Sequence, residues 1–180
     1  MKKVVLSFLT ICWILPLSTS YSQDYQSGTE KQINPDNGHA YQRFDTPLTW
    51  SNAKTACEGL GSHLATITSQ AENDWVVYHM TADAGLSVWI GGTDQVQDGV
   101  WEWVTGEAWN YTNWYTDEPN NFCGGESYVT LWGIETPRRW NDYGGPGCNS
   151  DVTSSYLCEW ENSAPFDMMP VYKLLLRRNR

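Results

Sequence analysis

The segment Thr116–Ser127, TDEPNNFCGGES, gathers Asp117, Glu118, Asn120, Asn121 and Glu126 within a dozen residues. Asn141 and Asp142 form a second oxygen-rich pair directly after Trp140. Carboxylates and amides grouped in this way do one of two kinds of chemistry. They hold a hard cation such as calcium, which takes about six to eight oxygens, or two of the acids divide general-acid and general-base work, as in glycoside hydrolysis. The segment has neither helical nor strand periodicity, and Pro119, Gly124 and Gly125 interrupt it, so these donors sit on a loop.

A loop of this kind needs a scaffold to aim it. Thr49–Leu60 predicts a helix: Trp50, Ala53, Cys57 and Leu60 fall on one stripe, Thr49 caps the start and Gly61 ends it. Ser69-Gln70-Ala71-Glu72 is a capping box that opens a second helix running to about Met80. Strands are predicted at Gly38–Phe44, with Tyr41 facing inward, and at Ser87–Gly92, Val100–Val104, Tyr128–Trp132, Arg138–Asp142 and Ser155–Glu161. The connection Thr105–Ser127 is long enough that it must be functional or tied down. Gly144, Gly145 and Gly147 read as loop slack.

Two positive charges in Met1–Lys3, the apolar run Val4–Leu17 and the small residues around Ser20-Tyr21-Ser22 predict a signal peptide over 1–22. Its apolar run is too short to span a bilayer comfortably, and no later segment reads as a transmembrane span. The mature chain is therefore expected outside the cell, secreted. It divides into a flexible leader at 23–37, one domain at 38–162 and a C-terminal tail at 163–180 that reads as a frayed terminus. Cys12 leaves with the signal. Cys57, Cys123, Cys148 and Cys158 remain, an even number that predicts disulfides without choosing among the pairings. The chain carries a net charge of −10, and both ends are basic, so the body between them is more acidic still. That sign excludes nucleic acid as a partner and suits a solvated extracellular surface or a cation site. Asn110-Tyr111-Thr112 is a glycosylation sequon.

The helix–helix–strand order, followed by WIGG at Trp89–Gly92, EPN at Glu118–Asn120, WND at Trp140–Asp142 and YLCEW at Tyr156–Trp160, resembles the C-type lectin domain, in its short form and EPN mannose-type. The resemblance runs from about His39 to Glu161. It implies an α+β fold, with two helices flanking small antiparallel sheets and a long calcium-binding loop region. It also implies that Cys57 pairs with Cys158 and Cys123 with Cys148. Two departures stand out. Tyr128 occupies the family's usual cysteine position after the loop glutamate, and Cys148 lies further past WND than usual. Both ends of the second bridge have moved, so the pair is retained.

The same resemblance implies the site. Glu118, Asn120, Glu126, Asn141 and Asp142 are the implied ligands of a calcium ion (Ca2+), and Pro119 is the implied cis-proline. Two adjacent sugar hydroxyls complete the ion's shell while bonding to Glu118, Asn120, Glu126 and Asn141, because a carboxylate accepts and an amide donates. EPN goes with glycans bearing adjacent equatorial hydroxyls, of the mannose, fucose or N-acetylglucosamine type. Asp94 and Asp98, with Asn121, Glu126 and Ser127, match an auxiliary calcium site. Tyr143 and Trp114 are candidates to stack on the sugar ring. No catalytic residue is expected: the acids serve as ligands, and His39, His63 and His79 fall in the scaffold half. The alternative is a module of this fold that binds a protein or ice surface without sugar. A weak single site would gain avidity from an oligomer, although no coiled-coil or collagen repeat appears.

Overall fold

The computed structural model of the chain describes residues 28–161 except 86, 134–136, 146–147 and 149–152. The signal peptide read at 1–22 and the tail read at 163–180 lie outside the described residues.

Both helices form where their caps predict. Helix α1 is Trp50–Gly59, and the Thr49 hydroxyl accepts from the Asn52 N–H. Trp50, Ala53 and Cys57 bury the stripe, whereas Leu60, expected to continue it, lies past the helix end and is 49% exposed. Gly61 follows at φ 70°, the left-handed conformation that ends the helix. Helix α2 is Gln70–Met80, with the Ser69 hydroxyl accepting from Glu72 N–H. The other half of the capping box takes a different partner: the Glu72 carboxylate turns inward to Thr68 and Tyr41.

The strands are β1 (Gln32–Ile33), β2 (Ala40–Leu48), β3 (His63–Leu64), β4 (Ser87–Thr93), β5 (Glu102–Trp103), β6 (Tyr128–Trp132), β7 (Arg139–Tyr143) and β8 (Ser154–Trp160). They form one sheet in the order β1-β2-β8-β4-β6-β7, with β3 on β8 and β5 on β4. The pair β4–β8 is parallel and the other pairs are antiparallel, so the sheet is mixed rather than wholly antiparallel. The fold is α+β. Order begins earlier than the predicted strand at Gly38: β1 pairs with β2 and Asn34 is fully buried, so the second half of the stretch read as a flexible leader is packed. The Val100–Val104 strand shrinks to two residues, because only Glu102 and Trp103 pair in register with β4, although Val104 N–H still donates to Gly91 O.

Alternate residues of β4 divide the core. Val88 and Ile90 join Tyr41, Leu131, Trp140 and, from α2, Val76 and Met80. Trp89 joins Phe44, Tyr128, Tyr156 and, from α1, Trp50 and Ala53. The disulfide Cys57–Cys158 pins α1 to β8 with 5.5 Å between Cα atoms. In the chain-entropy account, closing a ring of this size contributes about 4–5 kcal/mol.

Candidate functional site

Tryptophan packing positions the long connection after β5. Trp140 of β7 is fully buried, and its ring nitrogen donates to Asn73 Oδ1 at 3.0 Å. Trp103, Trp109, Tyr111 and Trp114 present their rings edge-on to it, with centroids 5.6–5.8 Å away. Such pairs exploit the ring quadrupole as well as buried area. The backbone then locks: Trp140 N–H donates to Asn113 O and Tyr115 N–H donates to Trp140 O, both at 2.8 Å. This bridge brings the chain from Tyr115 onward alongside β7, so that Asn120 and Asn121 face Asp142, two residues past Trp140.

Asp142, fully buried, organises the loop tip. Its Oδ1 accepts from Asn120 N–H at 3.1 Å and its Oδ2 from Asn121 N–H at 2.8 Å. Glu118 accepts from the Asn120 side-chain amide at 3.0 Å and from Asn120 N–H at 3.1 Å. The Glu118–Pro119 peptide bond is cis. Glu126 accepts from Phe122 N–H at 3.0 Å, while its own N–H donates to Asn121 Oδ1 at 3.1 Å. Asn121 sits at φ 46°, a left-handed conformation asparagine tolerates better than most residues. Asn141 is buried beside Asp142 on β7, and its carbonyl accepts from Thr130.

Electrostatics at the tip are unbalanced. Partial burial, with Asp142 close by, pushes Glu118 up to about 7. Burial and the Asp142 charge push Glu126 up to about 7 as well. Both groups resist carrying their negative charge in the absence of a counter-charge. Nevertheless, the loop acids do not close into a tight cage. Among the described residues, the one trio of His, Cys, Asp or Glu whose ligand atoms all lie within 4.8 Å of one another is His39, Glu72 and Glu159, in the scaffold.

The auxiliary pair is also drawn to the loop. Asn121 Nδ2 donates to Asp98 Oδ1 at 2.9 Å. Asp94 is 4% exposed; its Oδ2 accepts from Gly99 N–H at 2.8 Å, and its Oδ1 is buried without a hydrogen-bond partner. A buried carboxylate oxygen with no donor is costly unless a cation satisfies it.

The second disulfide, Cys123–Cys148, braces this tip as the resemblance implies, with Cα atoms 5.9 Å apart. Nor is the glycine run beside it slack at its start. Ser127 N–H donates to Gly144 O, and a Cβ on Gly145 would lie 2.3 Å from Gly125 O, so only glycine permits the approach. Gly147 falls outside the described residues.

Both rings named for stacking are partly buried against other aromatics. Trp114 packs against Trp101 and Trp140, and Tyr143 leans on Trp89. The exposed aromatic beside the donors is Phe122, at 68%. Sequence reasoning missed it; its position two residues past Asn120, the one apolar side chain in a polar stretch, was the available signal.

Residues 46–160 match the family described as Lectin C-type domain, and the chain belongs to that family. It is a lectin-type binding module, not an enzyme. The chain is 38% identical over 116 residues to ladderlectin of Oncorhynchus mykiss, an alignment covering 63% of this chain and 58% of that protein, less than two thirds of the relative's length. It is 31% identical over 147 residues to a C-type lectin of Micrurus corallinus, covering 76% of this chain and 88% of that one. The crystal structure of C-type lectin CEL-I from Cucumaria echinata superposes with a TM-score of 0.64 at 26% identity, over 73% of this chain and 94% of that one. No helix of the described residues is long and apolar enough to cross a membrane.

Proposed function

We propose that the domain is a secreted, calcium-dependent lectin for glycans of the mannose, fucose or N-acetylglucosamine type. The observation that carries this reading is the loop tip, where Glu118, Glu126 and Asp142 converge and two of them are held near 7 by burial and mutual charge. Backbone N–H groups absorb part of that charge, and a hard divalent cation supplies what is missing. The donors suit it, since all are oxygen. Glu118, Asn120, Glu126, Asn141 and Asp142 hold the ion. Asp94, with its unpartnered oxygen, and Asp98 hold an auxiliary one.

Calcium at this position supplies open coordination for two adjacent hydroxyls. The chain's own residues supply orientation. Glu118 accepts a hydroxyl proton and the Asn120 amide donates to a hydroxyl oxygen, which favours an equatorial pair. Phe122 offers its exposed ring to the apolar face of the sugar. The test is retention on mannan resin with calcium and release by a chelator, followed by competition with monosaccharides. Mannose and N-acetylglucosamine are expected to elute the protein and galactose to leave it bound. Retention that ignores the chelator, or equal elution by mannose and galactose, would sink the assignment. Binding to a protein or ice surface would likewise survive free sugar.

A further inference from the structure

Two carboxylates unused by the loop meet inside the scaffold. Glu159 of β8 is 1% exposed and Glu72 of α2 is 5% exposed. Between them stands the Tyr41 hydroxyl of β2, 2.5 Å from Glu72 Oε1 and 3.1 Å from Glu159 Oε1. The outer oxygens are satisfied separately. Glu72 Oε2 accepts from Thr68 N–H, and Glu159 Oε2 accepts from Thr66 N–H, each at 2.8 Å.

The hydrogens at the centre can be counted. An ionised carboxylate only accepts, so both contacts of Tyr41 with the acids require hydrogens that lie between oxygens. A phenol has one. Asn37 Nδ2 also points at the Tyr41 oxygen, at 2.9 Å, and as a donor it adds no hydrogen to either oxygen–oxygen contact. Asn37 Nδ2 also donates to Glu72 Oε1 at 3.1 Å and His39 Nδ1 lies against Glu159 Oε1, but neither places a hydrogen between the phenol and an acid. A full hydrogen bond at both oxygen–oxygen contacts takes one proton more than the phenol carries. We infer that Glu72, Tyr41 and Glu159 together hold one extra proton at neutral pH, making a proton-binding joint that fastens α2 and β2 to β8. The proton belongs to the set rather than to one residue.

The surroundings agree. His39 Nδ1 lies 2.5 Å from Glu159 Oε1, and His63 Nδ1 lies 3.9 Å from Glu159 Oε2, out of bonding range, while hydrogen-bonding to Leu64 O. Glu107 reaches the cluster only through the Thr66 hydroxyl, and Glu161 lies 3.8 Å from His63 Nε2. Lys31 sits over the Trp160 ring. Burial, with Glu72 adjacent, raises Glu159 above the usual carboxylate range despite the Thr66 and histidine contacts. A group raised in the folded state adds stability that is complete below its unfolded value. That stability is lost as pH climbs through the folded value. The joint should therefore loosen with rising pH.

The test uses the full chain carrying Glu118→Gln and Glu126→Gln, so that loop acids contribute no protons, with chelator present. Urea unfolding near neutral pH, in buffers of different ionisation enthalpy, reads the protons released. Adding Glu72→Gln should lower that release by about one proton per chain and flatten the fall of stability with rising pH. Equal release with and without Glu72→Gln overturns the inference. So does a bound divalent ion, found by metal analysis before chelation and lost with Glu72→Gln, because an ion would then fill the place given to the proton. If Glu72→Gln does not fold, infrared spectra of the protein carrying only Glu118→Gln and Glu126→Gln, with isotope-labelled glutamate, decide. A protonated carboxyl band at neutral pH supports the joint and its absence refutes it. These readouts do not depend on sugar or calcium binding, so the joint and the lectin assignment fail separately.

Discussion

The molecule contains two knots of acid, and they are resolved in opposite ways. In the scaffold, Glu72 and Glu159 are surrounded by a phenol, an imidazole, threonine hydroxyls and backbone N–H groups contributed by β2, α2 and β8. At the loop tip, Glu118, Glu126 and Asp142 receive mainly backbone N–H groups of Asn120, Asn121 and Phe122, from the same short segment that carries two of the acids. The scaffold knot closes within 4.8 Å, and the loop acids do not. Acids enclosed by donors from several elements, and sharing a proton, become structural cement. Acids whose donors come mainly from the backbone of one exposed connection remain available to something from outside. Proximity alone therefore does not mark the binding site; where the donors come from does.

That contrast can be broken experimentally, and the scaffold should respond most strongly. Glu159→Ala strands the Thr66 N–H and takes from His39 and Tyr41 the oxygen they share, while Tyr41 keeps Glu72; we expect a loss of about 3 kcal/mol by urea unfolding. Sugar retention per folded molecule should be unchanged. A variant that unfolds at the parental urea concentration would show that the buried acid contributes nothing.

Asp142→Asn should do the reverse. It removes one charge and keeps an oxygen, so calcium affinity and mannan retention fall together by about tenfold or more, about 1.4 kcal/mol, with a smaller loss in unfolding in chelator than Glu159→Ala, because one loop N–H loses its acceptor. Calcium titration by calorimetry alongside column retention checks this; sugar binding that outlived the loss of calcium would refute the ion-bridged mechanism. Exchanging donor and acceptor through Glu118→Gln with Asn120→Asp keeps charge and oxygens. Calcium binding should persist while the preference for mannose over galactose disappears, as read by monosaccharide inhibition.

The smallest effect is expected from Phe122→Ala. Loss of one ring face should weaken mannose inhibition by a few fold, about 0.5–1 kcal/mol, and leave calcium affinity alone. An unchanged inhibition curve would return Phe122 to the status of an exposed loop residue.

Legibility in the sequence followed the same division. The loop donors stood out because they are adjacent in the chain and break every periodicity, and the two helices because Thr49 and Ser69 cap them. The buried acids were hidden by ordinary context. Glu72 looked like the reciprocal partner of a capping box, and its inward turn depends on Tyr41, thirty-one positions away. Glu159 alternates with Cys158 and Trp160, so a one-sided strand would place it in water. β8 instead lies inside the sheet, and Leu157, Cys158 and Glu159 are successively buried, so both of its faces are covered there. The two-residue strands β1 and β3 carry no pattern of their own and exist only through their partners. The loop tryptophans were evident in number, but which of them clasp Trp140 and which might meet a ligand is a property of the assembled connection.

The pairing of β2 with β8 also has a mechanical meaning. Ala40 lies opposite Trp160, so once β1 is stripped from β2 the two flanking chains pull at neighbouring points. Tension applied through flanking chain would unzip these strands pair by pair from that end. After Ala40–Trp160 and Tyr41–Glu159, the peel arrives at Cys158, opposite Gln42, which is bonded to Cys57. Beyond that point the pull passes through the sulfur–sulfur link. The stretch between the two cysteines, which stand 101 positions apart and enclose the whole loop tip, is a closed ring that carries no load. A ligand held at that tip would be gripped by a part of the molecule that its tether cannot stretch.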